Sequence, residues 1–322
     1  IQMFALAAKR SFFAKTVPVH PCRFSRALLP LTATMTSSTT EASDRKRAKI
    51  DVDAVKDSAP EAVTEGEYDD QQAKSYVEAK SVDMRNRVEL YSTLHFIGDL
   101  KNKRVIDMAC GSGWLTRHLR DGGASSVVGT DMSPYMIDLA KKEEETYTGT
   151  GPKVEYEVED ARKATVPDKL FDIVTSNWLL VNAKNKQEVK EMCLGLAGKA
   201  KSGAKLCTIV IHPDLFTHAN NDELNQIMKP YGFTFVLPPK NDDGIQDGAP
   251  MRIQCYTPTG ELAIELENYY HSNETYIQEL EAAGFTSIEI QDKLLLSPEK
   301  DDADDWKAFF SCSLLMGITA IK

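Results

Sequence analysis

Apolar residues recur at helical spacing in the stretch "YDDQQAKSYVEAKSVDMRNRVELYSTLHFIGDL", residues 68–100, with Val82, Val88, Leu90, Tyr91, Leu94 and Ile97 on the side to be buried. Beyond it the pattern alternates. Short apolar runs at "KRVIDMA" (103–109), "SVVGTD" (126–131), "KVEYEV" (153–158), "LFDIVTS" (170–176) and "AKLCTIVI" (204–211) predict strands. Amphipathic stretches at 112–121, 134–146 and 184–199 predict the helices between them. Such an order favours a parallel sheet covered by helices on both faces.

After residue 211 the alternation breaks. A helix over 222–230 is followed by strands at "FTFVLP", "MRIQCYT" and "ELAIELENYY", set apart by the turn-rich "PPKNDDGIQDGAP" and "PTG". A helix over "SNETYIQELEAAGF" follows, with Ser272 as its N-cap and Gly284 as its stop. "SIEIQDKLLL" and "LLMGITAIK" close the chain as two more strands. The expected fold is α/β: a doubly wound, Rossmann-like sheet of seven strands with helices on both faces, and an antiparallel lid insert after the fifth strand, about residues 212–270. Ligands of such sheets lie beyond the carboxyl ends of the strands, where a lid in this position would cover them.

The chemistry starts at "RVIDMACGSGWLTRHL", residues 104–119. Glycines in a strand-to-helix turn permit positive φ and a close ligand, and the next helix offers free N–H groups. A dinucleotide or S-adenosylmethionine can use such a turn. The dinucleotide fingerprint wants glycine at 109, 111 and 114, where this chain has Ala109, Gly111 and Trp114. A tryptophan at the third position would hold helix and strand apart, which weighs strongly against a dinucleotide site. Asp107, Ala109, Gly111 and Gly113 instead fill an acid-x-G-x-G-x-G pattern whose first glycine is alanine.

With this pattern the chain resembles the class I S-adenosylmethionine-dependent methyltransferases. Three further elements in the same order carry the resemblance: "VVGTDMSPYMIDLA", "YEVEDARK" and "FDIVTSNWLLVNA". Asp131, at a strand end, can take both hydrogen bonds of a ribose diol, with Met132 packed on the adenine; the other reading is a helix cap, which Ser133 can equally supply. The resemblance implies Asp160 at the adenine amino group, the Ala161 N–H at the ring, and Asn177 near the methionine part of the cofactor. Including the entry helix and "YYHSNETYIQELEAAGF", it extends over about residues 68–321 and is to toxoflavin-synthase-type and related small-molecule methyltransferases. In relatives the entry helix folds over the cofactor, which makes Tyr76 a cofactor contact or plain packing.

Methyl transfer requires a nucleophile held in line with the methyl carbon and no metal. The expected reaction is transfer to the nitrogen or sulfur of a small metabolite. His271, beside Tyr270, is the candidate general base, against a purely structural histidine. His212, Trp178, Tyr256 and Arg87 are candidate acceptor contacts, the aromatic ones against ordinary core packing and Arg87 against a solvated surface. A nucleic-acid (RNA) methyltransferase is the alternative, but "SNWL" at 176–179 lacks the prolines that flank a stacked target base, and the net charge is −10. A non-catalytic cofactor-binding module is the other alternative.

Residues 1–40 contain Lys9, Arg10, Lys15, Arg23 and Arg26 and no acid, the composition of an organelle transit peptide; Met35 is an alternative start. This predicts a mitochondrial or plastid destination, or a cytoplasmic one if the leader reading fails. Residues 41–66 read as a disordered linker and 67–322 as the methyltransferase domain. The six cysteines lack metal-ligand spacing and read as reduced thiols, several of them buried. No apolar run reaches the roughly 18–20 residues of a membrane span.

Overall fold

The computed structural model of the chain describes residues 63–64, 70–79, 82–218, 221–239 and 244–322. The leader reading of 1–40 and most of the linker reading of 41–66 lie outside them. A two-residue strand, β1 (Val63–Thr64), and helix α1 (Asp70–Ala79) come first. A six-residue π-helical turn, Arg85–Leu90, then runs directly into α2 (Tyr91–Ile97). The Arg87 carbonyl there accepts the Ser297 N–H at 2.7 Å, a partner outside the helix. α2 ends at Gly98, whose φ of 83° is open to glycine.

The alternating segment follows as β2 (Arg104–Met108), α3 (Trp114–Asp121), β3 (Ser126–Asp131), α4 (Pro134–Thr146), β4 (Glu155–Val158), β5 (Phe171–Thr175), α5 (Lys186–Lys199) and β6 (Ala200–Ile211). The lid holds α6 (Asn221–Met228), β7 (Phe233–Val236), β8 (Pro250–Tyr256) and β9 (Leu262–Tyr269). α7 (Asn273–Ala282), β10 (Thr286–Gln291), the short α8 (Lys307–Phe310) and β11 (Leu315–Ile321) complete the chain.

Seven strands form the central sheet in the order β4-β3-β2-β5-β6-β11-β10. β2 pairs in parallel with β3 on one side and β5 on the other, while β11 is antiparallel to both β6 and β10. Strand order therefore reverses between β2 and β5, and a crevice opens at their carboxyl ends. β2 is buried on both faces, with Val105, Ile106 and Met108 at 1% exposure or less, as a central parallel strand must be. Side-chain caps start α4, α5 and α7: Ser133 Oγ accepts the Met136 N–H, Asn185 Oδ1 the Glu188 N–H, and Ser272 Oγ the Thr275 N–H.

The lid is a second sheet, β1-β9-β8-β7. β7, β8 and β9 are antiparallel as expected. β1 is an addition: Val63 and Thr64, within the stretch read as linker, pair in parallel with Leu266 and Glu267. One expected strand is shorter than its apolar run. "KLLL" leaves β10 because the backbone of Leu295 is bonded in both directions to Ser92 Oγ on α2. The described cysteines (110, 193, 207, 255 and 312) are buried and form no disulfide with one another. No helix among the described residues is long and apolar enough to cross a membrane.

Candidate active site

The turn after β2 carries three left-handed residues in five: Ala109 (φ 61°), Gly111 (φ 55°) and Gly113 (φ 76°). Alanine in this region costs about 1–2 kcal/mol, so Ala109 is held there by its surroundings. The Gly111 N–H donates to Asp131 Oδ2 and the Ser133 N–H to Asp131 Oδ1, each at 2.9 Å. Both carboxylate oxygens are fixed by one backbone donor and keep further acceptor capacity. Burial raises the Asp131 pKa, against those two bonds. Ala109, Gly111, Asp131 and Met132 all line a cleft at the carboxyl ends of β2 and β5.

Gly113 and Asp107 do not line the cleft. A Cβ on Gly113 would stand 2.4 Å from the Tyr156 hydroxyl, so this glycine makes room for packing. Asp107 is sealed beneath the turn, where Thr116 and Thr175 donate their hydroxyls to its two oxygens at 2.7 and 2.9 Å. Burial pushes its pKa up to about 6 despite those bonds. It ties β2, β5 and α3 together instead of meeting a ligand.

Asp160 and Ala161 form another part of the wall. Asp160 caps a short turn, accepting the Arg162 N–H at 2.9 Å and pairing with its guanidinium at 2.8 Å. Burial pushes its pKa up, but the bonds from Arg162 outweigh this and hold it below the ordinary value. Gly195 of α5 lets the helix approach this turn: a Cβ there would stand 2.0 Å from the Ala161 carbonyl. Tyr76 of α1 lies over the mouth, its ring 3.9 Å from where a Gly111 Cβ would be.

Asn177 and Trp178 leave β5 at the opposite wall. The Asn177 side chain accepts the Ile209 N–H (3.1 Å) and donates to Thr93 Oγ1 (2.9 Å) and Glu89 Oε1 (3.4 Å), joining β6, α2 and the π-turn. Trp178 adopts φ 67°, and its carbonyl accepts Asn182 Nδ2 at 2.7 Å.

The remaining sequence candidates are elsewhere. His271 is buried and does not reach the cleft; its Nε2 lies 2.8 Å from the Ala183 carbonyl, and burial lowers its pKa against that bond. A proton acceptor walled off in this way cannot serve as the general base. Tyr270 packs edge-on against Phe216, ring centroids 4.7 Å apart. His212 caps a turn, its Nδ1 accepting the Asp214 N–H at 3.0 Å. Tyr256 lines a different groove, under the Lys229 ammonium and 3.1 Å from Thr234 Oγ1. Arg87 is buried and bidentate to Asp302, both contacts 2.6 Å, which leaves it no role at an acceptor. Of the four acceptor candidates, only Trp178 lines the cleft.

Sequence reading missed Met136, Glu159, Asn182 and Met192 in the wall, and Glu89 behind it. Glu89 is 3% exposed, and among the described residues its Oε2 has no hydrogen-bond partner. A buried carboxylate oxygen without a partner is costly unless a cation or donor meets it. Together the wall offers a fixed carboxylate and thioethers suited to a flat ring, with the Glu89 carboxyl behind Asn177. A ligand with a diol and an aromatic ring satisfies both.

The sheet order is that of the class I S-adenosylmethionine-dependent methyltransferases, and a methyltransferase domain within the chain supports an enzyme of that class. Residues 105–197 match the family described as "Methyltransferase domain". Over 192 residues the chain is 27% identical to N-demethylindolmycin N-methyltransferase of Streptomyces griseus, covering 58% of this chain and 71% of that one. It is 36% identical over 107 residues to ubiquinone biosynthesis O-methyltransferase of Coxiella burnetii, covering 33% of this chain but only 43% of that one. The fold is similar to a solved S-adenosylmethionine-dependent methyltransferase of Clostridium acetobutylicum, with a TM-score of 0.53, 15% identity and coverage of 77% and 97% of the two chains.

Proposed function

We propose that the protein transfers the methyl group of S-adenosylmethionine to the nitrogen or sulfur of a small metabolite held between the cleft and the β7–β9 sheet. The observation that carries this reading is Trp178, which walls the cofactor cleft on one side and an apolar space beneath the lid on the other. In this reading Asp131 takes the ribose diol, and Asp160 and Ala161 take the polar edge of the adenine. Met132, Met136 and Met192 supply soft contacts to its faces. Gly111 and Ala109 leave backbone room for the methionine chain, and Tyr76 covers it. Asn177 fixes the wall nearest the methyl group, and Glu89 balances the positive charge.

The cofactor supplies an electrophilic methyl group. The protein's part is to hold the acceptor in line and exclude water. The acceptor lone pair forms the new bond to carbon, the carbon–sulfur pair returns to sulfur, and an amine acceptor then releases its proton to solvent. The nitrogen named in the Streptomyces relative supports this acceptor type, while the Coxiella relative is named for oxygen. The acid-free residues 1–40 support an organelle destination, which fluorescent fusion with and without them tests.

The test is calorimetric titration with S-adenosylmethionine, followed by mass detection of S-adenosylhomocysteine with panels of amines, thioethers, phenols and RNA. Turnover with an amine or thioether is expected. Turnover confined to phenols or RNA would replace the acceptor assignment, and absence of cofactor binding would remove the whole reading.

A further inference from the structure

One face of α5 runs along the turn that carries Asp160 and Ala161. Glu188, Met192, Gly195 and Lys199 fall on it, spaced four, three and four residues apart. Glu188 Oε1 stands 3.5 Å from Arg162 Nη1. Met192 lines the cofactor cleft itself. Gly195 leaves room for the Ala161 carbonyl, and the Lys199 ammonium lies 2.8 Å from each oxygen of Glu159. Helix positions 188, 195 and 199 thus meet turn positions 162, 161 and 159, in reverse order.

Glu159 is the first residue beyond β4, and its N–H donates to the Asp131 carbonyl at 2.9 Å. Its Oε1 also accepts the Thr165 N–H at 3.0 Å and the Thr165 hydroxyl at 3.1 Å. One carboxylate therefore ties the last turn of α5 to both ends of the segment 159–165, with Asp160 and Ala161 between them. Lys199 is 5% exposed and does not line the cleft. A buried ion pair adds little net stability, because desolvation offsets the attraction. Its directed contacts instead set where the segment lies.

We infer that Lys199 is a positioning residue for the cofactor's base: through Glu159 it holds Asp160 and Ala161 where they meet the adenine edge. The inference rests on the proposed adenine contacts and adds to them a residue outside the cleft. Removing the ammonium alone leaves the Glu159 carboxylate buried and unpaired, and relief comes from moving it toward water together with the residues beside it. The base edge registers that movement. Adenine offers an amino donor to Asp160 and a ring nitrogen acceptor to the Ala161 N–H. Hypoxanthine offers a carbonyl and a ring N–H at the same two places, so both contacts are lost. Preference between the two bases therefore reads the placement of this edge, whereas a general loss of stability weakens both ligands alike.

The experiment is calorimetry on the full chain with S-adenosylhomocysteine and S-inosylhomocysteine, with a thermal melt of each variant. The native chain should prefer the adenine ligand by about tenfold or more. Lys199→Met should lower that preference by about fivefold or more, and Lys199→Arg, which can re-form the pair, should keep it. Lys199→Met combined with Glu159→Gln removes the tie and leaves no charge behind. This double variant should melt near the native temperature and still lower the preference by about threefold or more, which keeps the test decisive if the single variant does not fold. A native preference in folded Lys199→Met or in the double variant overturns the positioning role. If the native chain binds neither ligand, or binds both equally, the parent reading of the adenine contacts falls instead.

Discussion

The Gly111 N–H points at Asp131 Oδ2 from 2.9 Å, so the glycine turn and the carboxylate at the end of β3 are set as one unit. Ser133 holds the other oxygen at the same distance while its own hydroxyl caps α4. Ser133 thereby supplies the helix start, which leaves the remaining acceptor capacity of Asp131 open to a ligand. Asp131→Ala should weaken S-adenosylmethionine binding at least tenfold, since each hydrogen bond to a charged group contributes about 1.5–3 kcal/mol. Asp131→Asn should lose less. Calorimetry checks both, and unchanged affinity in a folded Asp131→Ala protein refutes the diol assignment.

Glu89 gives a prediction with two opposed effects. Its buried Oε2 has no partner among the described residues. Removing the charge with Glu89→Gln should raise the melting temperature of the ligand-free protein, because an uncompensated buried charge is lost. The same change should weaken S-adenosylmethionine binding about tenfold or more. Thermal melts with and without cofactor read both, and lower stability together with unchanged affinity contradicts the assignment.

Asp107 should make stability depend on pH in an unusual direction. Its folded pKa is about 6, raised by burial above the ordinary carboxyl value of 3.8. Between these values the folded state holds a proton that the unfolded state releases, so this group's contribution falls as pH rises from about 4 to about 6. Asp107→Asn lacks that loss. Its stability relative to the native chain should therefore grow over the same window, by up to about 3 kcal/mol at 1.36 kcal/mol per pKa unit. Urea unfolding of both proteins from pH 4 to 7 measures the difference, and a flat difference sinks the prediction.

Gly195→Ala separates helix propensity from site geometry. Alanine within a helix gains about 1 kcal/mol over glycine. Here its Cβ would stand 2.0 Å from the Ala161 carbonyl. The turn bearing Asp160 and Ala161 must shift, so cofactor affinity should fall severalfold although helix content is kept. Circular dichroism with a binding titration decides it.

What the sequence made legible was local. The predicted helix over 134–146 coincides with Pro134–Thr146, because Ser133 and Pro134 form an unambiguous start. The strand–turn–helix around Ala109 and Gly111 was legible from residue types that tolerate positive φ. His271 and Arg87 misled because their partners are distant in sequence: the Ala183 carbonyl is 88 residues away and Asp302 is 215. Glu89 was hidden for the same reason. A glutamate in a helical pattern reads as a surface position until Asn177, 88 residues on, is packed against it.

The π-turn at Arg85–Leu90 gives the site an independent adjustment. A π-turn holds an extra residue within an otherwise α-helical path. Deleting one residue there would restore the α-helical repeat with little rotation of the flanking turns, because about five α-helical residues turn through the same angle as six in a π-turn. Met84 before the turn and Thr93 after it would thus keep their sides, and the change would fall on the turn's own backbone. What the extra residue provides is the outward Arg87 carbonyl that holds Ser297, and a single-codon deletion would return that carbonyl to the helix and release the chain around Ser297 from α2.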